Sequence, residues 1–156
     1  SSVDAWLTDS LFNNVRLKSN FIDKVILAMR YGRIRGILWH QGESDANEEG
    51  ISHYREKLDS LFSFFREYTG NDTLPVIMGE LGIFPGSEKT WSYYSEINKI
   101  LTSIAEEDSN ISLVKTSGLK SNPDNVHFNN ESQRAIGRRY AEEYLRMING
   151  HSNDRN

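Results

Sequence analysis

Asp124 and His127 stand three residues apart in "SNPDNVHFNNESQ", a polar run just before a helical pattern. A carboxylate at that spacing can reach a histidine Nδ1 proton when the loop curls. It then fixes the ring tautomer and leaves Nε2 free to act as a general base. The same residues also fit a bland turn, in which Pro123-Asp124-Asn125 closes on an Asx hydrogen bond. A second stretch tips the balance. In "ILWHQGESDA", Ile37 to Ala46, an apolar run breaks into His40, Gln41, Gly42, Glu43, Ser44 and Asp45. Gly42 permits a tight turn or a close backbone approach to a ligand. The Gln41 amide can donate to a developing oxyanion. Glu43 can accept from backbone amides or hydroxyls and brace a neighbouring loop. Each stretch follows an expected strand, and together they point to a site.

Two other chemistries fit less well. "GESDA" imitates a nucleophile elbow at Ser44, and the order Ser44, Asp124, His127 matches a serine triad. An elbow needs a helix directly after its serine, and here "DANEEG" intervenes. His40, Glu43, Asp45 and His53 are close in sequence, but strand neighbours point to opposite faces and no H-E-x-x-H spacing occurs. No metal site and no cofactor are expected. Trp39, Trp91, Tyr93 and Tyr94 read mainly as core. His40 and Trp91 are the candidates for contact with a substrate, Trp91 by stacking on a sugar.

The elements that must position these residues alternate. Helical patterns cover residues 13–31, 52–68, 91–108 and 131–148, with Asn130 and Gln133 reading as a capping box. Strand patterns cover 35–39, 74–78 and 111–115. This order predicts an α/β fold with a parallel sheet and crossover helices. Ligands then bind beyond the carboxyl ends of the strands, where polar loops 40–50, 80–90 and 116–130 fall. Doubly wound sheets usually have about five strands or more. Here the chain opens on a helix, and its three strands read as the later part of such a sheet. Residues 1–148 are expected to form that part of one domain, and 149–156 a disordered polar tail.

Bulk properties exclude several classes. The 156 residues carry a net charge of −4, with 18 Lys and Arg scattered rather than striped. Neither a nucleic acid nor a membrane is expected as partner. The chain has no cysteine, which removes disulfides and thiolate catalysis. The first ten residues are mixed and polar, without a visible leader.

"RGILWHQGESDA", "LPVIMGEL" and "DNVHF" closely resemble the SGNH-type carbohydrate O-acetylesterases, the group of sialate O-acetylesterases and acetylxylan esterases. The opening "SSVDAWLTDSLFNN" is similar to the family's second block, and the resemblance runs from Ser1 to about Met147. It implies a flavodoxin-like, three-layer SGNH hydrolase fold that hydrolyses sugar acetyl esters without a metal. It implies His127 as base, Asp124 as its orienting acid, Gln41 in the oxyanion hole and Glu43 in support. Ser1 and Ser2 match the second block, where a glycine just upstream gives a backbone N–H to the oxyanion. The family's serine nucleophile sits in a G-Q-S-N-like motif further upstream, and this chain contains no such motif. Two N-terminal strands are missing on the same reading. The expected partners are therefore an acetylated sugar or glycan, and either an N-terminal segment or another chain that completes the sheet. A non-catalytic carbohydrate-binding or interaction protein derived from the esterase fold is the rival reading. Family resemblance alone suggests a secreted or periplasmic protein.

Overall fold

The computed structural model describes residues 1–85 and 88–153, with side-chain surroundings for 1–85 and 93–150. The chain starts with a short helix α1, Val3–Leu7, capped by Ser2, whose Oγ accepts from the Ala5 amide at 3.3 Å. A small antiparallel hairpin follows, β1 Leu11–Phe12 and β2 Val15–Arg16. The alternation predicted from the sequence is then observed: α2 Leu17–Met29, β3 Ile37–Trp39, α3 Glu48–Thr69, β4 Val76–Gly79, α4 Glu88–Glu107, β5 Ile111–Val114 and α5 Asn130–Asn153.

Three local differences have physical causes. The helix expected over 13–31 begins only at Leu17. Asn13 and Asn14 both take positive φ (47° and 63°), the conformation a tight hairpin turn requires and asparagine tolerates. The last helix is capped one residue earlier than predicted. Asn129 Oδ1, not Asn130, accepts from the Ser132 amide at 2.9 Å. The same helix runs on to Asn153, past its expected end at 148, and no proline lies there to stop it.

The main sheet has the order β3-β4-β5 and is wholly parallel, with Leu38 opposite Ile77 and Ile77 opposite Ser112. Alternate residues feed opposite faces. Val76 and Met78 join Trp39 and the buried faces of α3 and α4. Ile77 and Val114 join Ile136, Tyr140 and Met147 of α5. Helices thus cover both sides of the sheet. α3 is the best seated. Asn47 caps it by accepting from the Gly50 amide at 2.9 Å, and Glu48 and Glu49 face the positive end of its dipole. Its stripe Tyr54, Leu58, Leu61, Phe62 and Phe65 is buried at helical spacing. Each such side chain contributes roughly 1.5–3 kcal/mol on burial. No described helix is long and apolar enough to cross a membrane.

The outer edge of β3 pairs with no described strand. Leu38, in its middle, is 62% exposed.

Candidate active site

The loop after β5 curls as the spacing required. Asp124 Oδ1 accepts from the amides of Val126 (2.9 Å) and His127 (3.0 Å), an Asx-type turn that swings the carboxylate under the ring. Its Oδ2 lies 2.8 Å from His127 Nδ1. The turn is pinned on both sides. The Asn122 amide donates to the His127 carbonyl at 2.7 Å, and Phe128 is buried against Phe84. An ionised carboxylate only accepts, so His127 carries its proton on Nδ1 and presents Nε2 as the lone-pair atom. The side chain is 74% exposed. The hydrogen bond from His127 lowers the Asp124 pKa to about 2. The same bond, helped by the charges of Asp124 and Glu43, raises the His127 pKa above the ordinary histidine value.

The second stretch leaves β3 at Trp39 and turns over the end of the sheet. Tyr140 donates its hydroxyl proton to the Trp39 carbonyl (3.1 Å), so it accepts from His40 Nδ1 at 2.9 Å. His40 presents surface to solvent, but its ring packs edge-on against Phe128 and Tyr140. That crowding strips water from the ring and lowers its pKa. Gly42 has φ +154°, and a Cβ there would meet Ile97 at 3.0 Å and the Tyr54 hydroxyl at 3.2 Å. Only glycine fits the turn. Glu43 is half-buried. Burial raises the pKa of Tyr54, Tyr94 and Tyr140, and the negative charge of Glu43 adds to that rise; it adds also to the rise at His127 and opposes the lowering at His40.

Gln41 behaves differently from the expectation. It is buried, and its Nε2 donates both protons, to the Ser1 carbonyl (2.8 Å) and to Asp45 Oδ2 (2.5 Å). Both partners are pure acceptors, which fixes the amide orientation. No donor remains to meet an oxyanion in this arrangement. Sequence reasoning saw the amide but not its partners, because Ser1 is forty residues away.

The remaining candidates fall as follows. Ser2 caps α1 beside this loop. Ser44 is exposed on the turn, and α3 starts only at Glu48, so no elbow forms. Trp91 lies on α4, but its side chain lies outside the described residues. Among the described residues, no three His, Asp or Glu side chains are grouped to hold a metal ion. Asp45, considered from the sequence only as a metal ligand, is the buried anchor of the loop.

A family model described as "carbohydrate esterase, sialic acid-specific acetylesterase" matches residues 1–146. A curated protein named as a probable carbohydrate esterase of Arabidopsis thaliana is 29% identical over 115 residues, which is 73% of this chain and 41% of that protein. A crystal structure of an Arabidopsis thaliana protein superposes with a TM-score of 0.75 at 24% identity, covering 93% of this chain and 56% of that one. The chain therefore spans about half the length of the relatives it matches, and the structural likeness shows the fold. The matched span includes both the Asp124–His127 loop and the 40–46 turn, and on that ground the chain belongs to the carbohydrate esterase family of sialic acid-specific acetylesterases.

Proposed function

We propose that this chain forms part of a serine esterase that removes O-acetyl groups from carbohydrates. The observation that carries the reading is the His127–Asp124 pair, with Nδ1 held at 2.8 Å on an exposed side chain in the loop after β5. In the assembled site a serine Oγ, delivered by a segment ahead of Ser1 or by another chain, attacks the acetyl carbonyl while His127 Nε2 takes its proton. The carbonyl electrons move onto oxygen. They return as the sugar oxygen leaves with the proton from His127, and the acetyl group stays on the serine Oγ as an ester. Water then repeats the sequence and releases acetate. Asp124 holds the tautomer and stabilises the imidazolium. Glu43 adds a second negative charge within reach of the same ring. The Gln41 amide is spent on the chain itself, so backbone amides are assigned the oxyanion. The unpaired outer edge of β3 supports the same reading, because it is where a further parallel strand would pair. The substrate class, an acetylated sugar with sialic acid foremost, rests on the family's description.

His127→Ala in the complete protein tests it. Acetate release from an O-acetylated sugar should fall by roughly 10²–10⁴-fold or more with folding intact. Undiminished turnover would remove His127 as base.

A further inference from the structure

Among the described acidic side chains only Asp45 is fully buried, at 3% exposure. No described cation pairs with it. Lys57, whose charge acts on it, is bound to Asp4 at 2.7 Å. A buried carboxylate without a counter-charge is expensive unless its oxygens are filled with donors. They are filled in one direction. Oδ2 accepts from the Val3 amide at 3.1 Å and from Gln41 Nε2 at 2.5 Å, and Oδ1 lies 3.4 Å from the same Val3 amide. Gln41 in turn donates to the Ser1 carbonyl at 2.8 Å. Two side chains of one turn thus grip both ends of the Ser1–Val3 backbone.

The turn is itself anchored. The Asp45 amide donates to the Gly42 carbonyl (3.0 Å), and the Asn47 amide donates to the Asp45 carbonyl (2.9 Å). A Cβ on Gly50 would lie 2.2 Å from that carbonyl oxygen, so the first turn of α3 sits directly on Asp45. Between the two gripping residues stands Glu43, whose charge reaches His127. Burial raises the Asp45 pKa, so its charge is not retained because it is comfortable there.

We propose that Asp45 and Gln41 are positioning residues: they clamp the Ser1–Val3 backbone to the turn that carries Glu43, and so hold the incoming chain in register with His127. The clamp stands on the hydrogen bonds alone. Its effect on rate rests on the esterase reading above.

The test separates the two. Amide hydrogen exchange is read at Val3 and at β4 in wild type and Asp45→Ala, which removes the oxygen that accepts both bonds. Exchange at Val3 should accelerate about tenfold or more while β4 stays protected. In the complete protein, kcat for acetate release should fall roughly 10- to 100-fold, with KM unchanged. Unchanged exchange at Val3 overturns the clamp whatever the kinetics. Faster exchange with unchanged kcat overturns the positioning role. Loss of the esterase reading shows separately, as activity surviving His127→Ala. If Asp45→Ala does not fold, Gln41→Met is read in the same way at Ser2 and Val3, since it removes both Nε2 donors at near-constant volume.

Discussion

On the proposed mechanism, His127 must lose a proton before it can accept one from serine. Its pKa is raised, chiefly by the hydrogen bond to Asp124, so the rate of the complete enzyme should climb with pH through a midpoint above the ordinary value of 6.5. Asp124→Asn removes the largest cause of that rise. The midpoint should move to lower pH while the plateau rate drops, because the neutral amide no longer enforces the Nδ1 proton or stabilises imidazolium. A pH–rate profile of kcat/KM decides it, and a midpoint that stays in place would exclude Asp124 as the partner. The folding linkage has a definite sign. The raised histidine contributes stability that is complete below 6.5 and is lost as pH rises through its folded pKa. The lowered aspartate contributes stability that is complete above 3.8 and is lost as pH falls through about 2. Both side chains are exposed, so water screens the pair and its contribution to stability is small. This pair was legible in the sequence because both residues lie in one turn. The Asp45 clamp was not, since its target amide is 42 residues upstream and a backbone amide has no sequence signature.

At the scale of elements, α3 sets where the 40–46 turn ends, and Phe65 ties α3 to its neighbours. Its ring lies 4.6 Å from Phe21, 6.0 Å from Trp6 and 6.1 Å from Trp39, which belong to α2, α1 and β3. Phe65 is 2% exposed. Phe65→Ala should therefore destabilise the fold by about 3–5 kcal/mol, measured by denaturant unfolding. A loss below about 1 kcal/mol would mean the cluster repacks and does not hold α1 in place. The three strands and four long helices were readable because each carries a period, near 3.6 or 2, over many residues. α1 and the hairpin were not. A five-residue helix and two-residue strands are too short to show a period, and they are held by Ser2, the Asn13-Asn14 turn and contacts to α3. An incomplete sheet was foreseen from the strand count and from the family resemblance, whereas Leu38 reads in sequence like any buried strand residue.

For the whole molecule, that edge decides how the chain behaves alone. Leu38 is 62% exposed and lines an open groove of about 380 Å³ with Gly137, Tyr140 and Tyr144. On α2, Ile26, Leu27 and Met29 are each nearly half exposed, and Val25 is the only residue of that helix that is buried. An unpaired parallel strand beside apolar surface is a template for association. Residues 1–156 expressed by themselves should self-associate with rising concentration in sedimentation experiments. Leu38→Lys should shift them toward monomer, because the charge is tolerated on an open edge. On the proposed reading, in a protein that supplies the neighbouring strand the same substitution should instead destabilise by about 2 kcal/mol or more, since the lysine would be buried against that strand. If Leu38→Lys were harmless in both forms, no strand would pair there, and the serine would have to reach His127 by another path.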